Sequence, residues 1–287
     1  MTSSADRLRE LLAAPGIIVA PACFDALSAR LIERAGFKAS FMSGFAVSAA
    51  RLCLPDTGLI SYAEMQEQGR NICQAVSIPV IGDADTGYGN ALNVQRTVQG
   101  FAQAGFACAM IEDQVAPKRC GHTRGKAVVG RDEALLRVRA AVDARNDGAD
   151  ILIMARTDAR ATDGFDEAMW RIRAFADLGA DILFLEAPEN EDEMRAFCDG
   201  VDGPKMANLV EQGDTPMLAP DVLEAMGYKI ALYPLTLLNA AMTAMERALG
   251  DLGAGRTPDD LAPFAHLREV VGFDAYYEAE KRYTDSD

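Results

Sequence analysis

The stretch Gln103-Ala104-Gly105-Phe106-Ala107-Cys108-Ala109-Met110-Ile111-Glu112-Asp113 decides how this chain folds. It carries the end of a helical pattern into an apolar run of strand length and finishes on two carboxylates. A glycine after the last helical turn adopts the left-handed conformation that closes the helix and turns the chain into the next element. The run at 108–112 is apolar along most of its length rather than alternating, as a parallel strand covered by helices requires.

The same unit recurs along the chain. Arg34-Ala35-Gly36 precedes an apolar run at 39–43, and Asp177-Leu178-Gly179-Ala180 precedes one at 182–186. Further runs at 17–22, 79–83, 151–155, 205–209 and 230–233 bring the total to eight, with helical spacing over 92–102, 132–144 and 165–176. Eight βα repeats without a composition break predict an α/β fold, a single (β/α)8 TIM barrel domain spanning 1–287. After the eighth run come segments at 237–249 and 258–283, a C-terminal helical extension over about 237–287. Its Phe264, Leu267, Phe273, Tyr276 and Tyr277 are surplus to a closed barrel. They pack either on the parent barrel or on a neighbouring subunit.

Composition narrows the function. The 287 residues are 49% hydrophobic and carry a net charge of -15, with a pI near 4.6. That field repels nucleic acid and anionic membranes, and an anionic substrate needs a local arginine or metal to offset it. Cys23, Cys53, Cys73, Cys108, Cys120 and Cys198 lack the paired spacings of a zinc site and read as thiols. The N-terminus lacks a signal-peptide plan, and no apolar run reaches membrane-spanning length, which points to a reducing cytoplasm.

A barrel of this class gathers its chemistry where the strands end. The polar residues there are Asp25, Ser43, Asp83, Asp85, Glu112, Arg156, Asp158, Glu186 and Asn208. Some of them are simple caps. Asp83 and Asp85, two residues apart on an extended chain, face one side and together suit an oxygen-preferring cation such as Mg²⁺. Arg156 offers a planar fork for a carboxylate, or a salt bridge to Glu186 or Asp158. Ser43-Gly44 reads as a donor pair or as a turn. Gly87-Tyr88-Gly89-Asn90 lacks the third glycine of a dinucleotide loop and reads as a flexible turn. Downstream, Lys118-Arg119-Cys120-Gly121-His122 sets a thiol among cationic groups, within a glycine-containing flap over 115–126.

Together, Ser43-Gly44, Asp83-Ala84-Asp85-Thr86-Gly87-Tyr88-Gly89, Ile111-Glu112-Asp113-Gln114, Lys118 to His122 and Ala155-Arg156-Thr157-Asp158 resemble the isocitrate lyase and phosphoenolpyruvate mutase superfamily. The resemblance spans nearly the whole chain, and the Lys-Arg-Cys-Gly-His flap is specific to lyase-like members. It implies a modified barrel whose last helix is exchanged between subunits, in a homotetramer built as a dimer of dimers. It implies Mg²⁺, with Mn²⁺ as a substitute, held by Asp83 and Asp85 largely through waters, with Asp56 and Glu112 nearby. Ser43, Gly44, Gly121, Arg156, Glu186 and Asn208 would bind a di- or tricarboxylate, and Phe45 would touch an alkyl group.

The implied activity is cleavage of a substituted 2-hydroxy dicarboxylate to a 2-oxo acid such as pyruvate and a carboxylic acid. Cys120 would protonate the departing carbanion. Glu112, His122 and a metal-bound hydroxide are the candidate bases. Pro234 matches lyases, where oxaloacetate hydrolases carry serine. Asn239 stands where 2-methylisocitrate lyases carry arginine, which favours a 2,3-dialkylmalate over a triacid. An oxaloacetate hydrolase or decarboxylase is the alternative, followed by a phosphonate mutase and a non-catalytic barrel subunit.

Overall fold

The structure is a computed structural model that describes residues 2–120 and 125–284. It divides into two compact units, 1–237 and 238–287. In the first, eight strands run in parallel: β1 Ile18–Cys23, β2 Ser40–Met42, β3 Val80–Asp83, β4 Cys108–Glu112, β5 Leu152–Thr157, β6 Ile182–Leu185, β7 Met206–Asn208 and β8 Ile230–Tyr233. Their order is β6-β5-β4-β3-β2-β1-β8-β7, and a parallel bridge from Leu183 to Lys205 brings the two edges together. This is the nearly closed (β/α)8 barrel that the eight apolar runs predict. The observed strands fall within one or two residues of those runs.

The strands read as continuously apolar because each has two buried faces. Ile18, Ala20 and Ala22 of β1 join Phe41, Ile81, Met110, Met154, Phe184 and Leu232 inside the barrel. Ala5 and Leu8 of the first helix, Ser4–Ala13, pack into the same inner cluster. Residues of opposite parity, such as Cys23, Ala109, Ile111 and Ile153, belong to the outer cluster formed with the helices. Burying both faces removes apolar surface from water on two sides of every strand, and this is the main drive to close the barrel.

Local chemistry sets the joints. Gly105 ends helix Ala91–Ala104 at φ 101°, a conformation that costs a residue without a Cβ nothing. The Gly87–Asn90 turn is pinned rather than loose. Asn90 accepts hydrogen bonds from the Leu92 and Asn93 amides, and Thr97 Oγ1 donates to the Gly87 carbonyl. Asp25, one of the strand-end polar residues, caps helix Ala26–Arg34 by accepting from the Ser28 amide at 2.7 Å.

The 238–287 unit contains most of helix Thr236–Gly253 and the helices Phe264–Val271 and Phe273–Thr284. Gly272, at φ 89°, splits what the sequence presents as one segment over 258–283. Phe264, Leu267, Phe273, Tyr276 and Tyr277 are exposed. Among the described residues no helix is long and apolar enough to cross a membrane, and no disulfide joins any of the six cysteines.

β3 carries a steric test of this packing. A Cβ on Gly82 would lie 2.8 Å from both the Phe101 and Phe106 rings, which stack on each other at 4.6 Å. Gly82→Ala should lower unfolding free energy by about 1–3 kcal/mol in urea denaturation, the usual cost of overpacking a filled core. An unchanged midpoint would show that the aromatic pair yields without cost.

Candidate active site

The strand ends converge on a cavity of about 150 Å³. Ser43, Phe45, Asp56, Asp83, Cys120, Arg156, Glu186, Asn208 and Pro234 line it, so most of the residues singled out in the sequence meet there. Gly44, Asp85 and Glu112 stand directly behind these, each in contact with a lining residue. Gly121 and His122 lie outside the described residues.

The acidic half is held by backbone groups. Asp83 Oδ2 accepts from the Gly44 amide and Oδ1 from the Asp85 amide, both at 3.1 Å. A Cβ on Gly44 would meet Asp83 Oδ2 at 2.5 Å, so glycine is what permits this approach. The Gly44 N–H thus positions Asp83. Asp83 and Asp85 are not neighbours on an extended chain. β3 ends at Asp83, and Asp85 sits at φ 49°, a left-handed conformation that aspartate tolerates better than most residues. That turn, not strand alternation, directs both carboxylates to one place.

Lys118 Nζ enters this cluster, 2.6 Å from Asp56 Oδ1 and 2.8 Å from Asp85 Oδ1. Its 2.8 Å approach to Asp56 Oδ2 is a hydrogen bond. Burial pushes Asp85 up to about 6 and raises Asp56 as well, by more than Lys118 lowers them. Burial also opposes the charge on Lys118, but Asp85, Asp83, Asp56 and Glu112 outweigh it and hold the ammonium charged. Both directions hold together because one ammonium cannot neutralise several acids, and the shortfall falls on the carboxyls.

The other half centres on buried Arg156. Its Nε and Nη2 meet the two oxygens of Asp158 at 2.8 and 3.0 Å, a bidentate pair. Glu112 Oε2 lies 3.3 Å from Nε, Glu186 Oε1 lies 3.8 Å from Nη2, and the guanidinium crosses the Phe184 ring at 5.0 Å. Asn208 Nδ2 donates to Glu186 at 3.2 Å. Burial raises Glu112 well above the usual carboxyl range, and its Oε1 is buried without a hydrogen-bond partner among the described residues. The salt-bridge reading of Arg156 is therefore fulfilled, with Nη1 outside that pair.

A buried scaffold with no local sequence signal supports this half. Asp113 accepts from Thr157 Oγ1 at 2.6 Å, from the Asp158 amide at 2.9 Å and from Arg171 Nη1 at 3.0 Å. Arg171 belongs to helix Phe165–Asp177, 58 residues from Asp113 in sequence, a separation that hides the pair from local reading. Lys126 Nζ, from the end of the flap, lies 3.5 Å from Asp158 Oδ1. Apolar Phe41, Met110, Phe184, Val210, Leu232 and Leu235 complete the wall.

The donor set fits a hard divalent cation. Among the described residues, buried Asp56, Asp83, Asp85, Glu112, Asp158 and Glu186 outnumber the cations paired with them, Lys118, Lys126 and Arg156. An anionic substrate could not enter that excess without added positive charge. Also among the described residues, no three His, Cys, Asp or Glu side chains are grouped to hold an ion directly.

A sequence family described as phosphoenolpyruvate phosphomutase matches residues 8–252. The 2,3-dimethylmalate lyase of Eubacterium barkeri is 43% identical over 286 residues, covering 98% of each chain. The 2-methylisocitrate lyase of Aeropyrum pernix is 41% identical over 276 residues, covering 96% of this chain and 88% of its own. Among solved structures, an oxaloacetate acetylhydrolase with the inhibitor 3,3-difluorooxalacetate matches with a TM-score of 0.94 at 36% identity, covering 98% of this chain and 97% of that one. The chain belongs to the phosphoenolpyruvate mutase and isocitrate lyase superfamily and, like the first two relatives, is a lyase.

The crowded carboxylates make a stability prediction. Asp85 has a folded value near 6, above its unfolded value of about 3.9. Its preference for the proton favours the fold at low pH and is lost as pH rises through about 6. Metal-free Asp85→Asn, which never ionises, should melt above the parent at pH 8, by at most about 3 kcal/mol, and close to it at about pH 3.5, below the unfolded value. Scanning calorimetry at both values checks this, and an equal offset at the two pH values would refute it.

Proposed function

We propose that this chain is a Mg²⁺-dependent carbon–carbon lyase that cleaves a substituted 2-hydroxy dicarboxylate to a 2-oxo acid such as pyruvate and a carboxylic acid. The observation that carries the reading is a single cavity lined by an acidic cluster, a buried arginine and the Cys120 thiol. Asp83 and Asp85 hold the cation, directly or through water, with Asp56 and Glu112 beside them, and Mn²⁺ can take its place. When bound, the cation offsets the carboxylate excess and lowers the cost of negative charge on the substrate hydroxyl.

Arg156, Ser43, Glu186, Asn208 and Gly121 bind the 2-hydroxy-carboxylate end. Glu112 accepts the hydroxyl proton, a role supported by its raised proton affinity and by its Oε1, unpartnered among the described residues. His122 is another candidate base. The electron pair left on oxygen becomes the carbonyl of the 2-oxo acid as the bond to the neighbouring carbon breaks. That carbon, next to the second carboxylate, keeps the bonding pair, and the Cys120 thiol delivers the proton that completes the acid product.

The apolar wall decides among substrates. Phe45, Phe184, Val210, Leu232 and Pro234 suit alkyl substituents. With Asn239 where a triacid lyase would carry arginine, they favour a 2,3-dialkylmalate over 2-methylisocitrate. The likeness to an oxaloacetate acetylhydrolase supports a second reading, hydrolysis of oxaloacetate. Pro234 weighs against that reading. A helix-exchanged homotetramer in the cytoplasm completes the proposal, supported by the exposed apolar residues of the 238–287 unit and the absence of disulfides.

The test is 2-oxo acid release from 2,3-dimethylmalate, 2-methylisocitrate and oxaloacetate, with Mg²⁺ or with chelator. Pyruvate should form fastest from 2,3-dimethylmalate and stop with chelator. Cys120→Ser should lower kcat by about 100-fold, within the range expected on losing a proton-transfer group. Metal-dependent loss of oxaloacetate without cleavage of either hydroxy acid would move the chain to the hydrolase reading.

A further inference from the structure

Cys120 owes its place to a buried side chain that has no role in the chemistry above. Gln114 follows β4 by two residues and is 1% exposed. Its Nε2 donates to the Arg119 carbonyl at 2.8 Å, and its Oε1 accepts from the Arg119 amide at 2.9 Å. Both backbone polar groups of the residue before Cys120 are thereby fixed by one amide. On the other side of that peptide, the Cys120 amide donates to the Asp56 carbonyl at 3.2 Å. The thiol-bearing residue hangs between a clamp from β4 and an anchor on the loop that supplies Asp56.

The clamp itself is rigidly mounted. Gln114 forms an antiparallel bridge with Val128, and the Val115 amide donates to the Ala127 carbonyl at 2.8 Å. The Val129 amide donates to the Asp113 carbonyl at 2.9 Å. Buried Arg137, from helix Arg131–Asn146, donates to the Gln114 carbonyl at 2.6 Å. Both ends of the flap are rooted on residues 113–115, immediately after Glu112. No ordinary isostere can replace the amide, because the site needs one donor and one acceptor at once. In Gln114→Glu a carboxylate oxygen would face the Arg119 carbonyl, leaving two buried acceptors in opposition.

We propose that Gln114 is the positioning residue for Cys120, registering the flap so that the thiol meets the carbon released next to the strand-end acids. The proposal rests on the reading of Cys120 as proton donor, and its test separates the two. In the full-length enzyme, Gln114→Glu is compared with parent and Cys120→Ser for kcat, KM and Mg²⁺ affinity. Site-resolved iodoacetamide labelling of Cys120 is followed by peptide mass spectrometry, with exposed Cys53 as the internal reference.

A displacement of about 1 Å at a reacting group costs on the order of 100-fold. Gln114→Glu should therefore lose kcat on that scale while KM moves less than about threefold and Mg²⁺ affinity holds. Labelling of Cys120 relative to Cys53 should rise about tenfold, the scale of a lost buried hydrogen bond. Unchanged kcat, or an unchanged labelling ratio, overturns the proposal. So does loss of activity accompanied by labelling of buried Cys23 and Cys198, which marks general loosening. If Cys120→Ser keeps parental kcat, the proton-donor reading fails and the labelling ratio alone decides the register claim. Should Gln114→Glu not fold, Gln114→Met, of similar length and uncharged, gives the same readouts.

Discussion

Too much negative charge in too little space is the constraint on which this site depends. The barrel brings the carboxyl ends of its strands together by geometry, and here those ends carry Asp83, Glu112 and Asn208, with Glu186 one residue beyond β6. Buried carboxylates repel one another and lose hydration, which favours their protonated forms. The protein answers with fixed donors and internal cations: two backbone amides on Asp83, Lys118 among Asp56 and Asp85, and Arg156 against Asp158. What remains uncompensated is an attraction for positive charge, focused by apolar walls of low polarizability.

Much of the fold was legible because burial on both faces leaves a plain signature. A strand such as Cys108–Glu112 contributes Met110 inward and Ile111 outward, so no polar alternation interrupts it. The glycine at 105 marked the joint for a separate and equally local reason, its left-handed backbone. By contrast, nothing local separates the final segment into two helices except Gly272, one glycine among several near the C-terminus.

The site was legible as a list of residues and less so as geometry. The spacing of Asp83 and Asp85 pointed to a shared target through extended-chain alternation, yet a left-handed turn at Asp85 is what joins them. Asp25 carried the same strand-end signal and proved to be a helix cap, because a carboxylate near an amide cluster serves either purpose. Arg171 and the side-chain clamp of Gln114 were invisible. Each depends on a partner whose position only the closed barrel determines.

The flap therefore cannot be regarded as a lid independent of the acids below it. Lys118 and Lys126 flank its central segment, and each places an ammonium on an active-site carboxylate, Asp56 with Asp85 in one case and Asp158 in the other. Gln114 ties the backbone between them to the strand that ends in Glu112. Charge on the acids, position of the two lysines and register of Cys120 are consequently linked through short, buried contacts with little room to relax. Changing any one of the three changes the electrostatic and steric balance of the other two, and this ties the placement of a thiol to carboxylates on neighbouring strands.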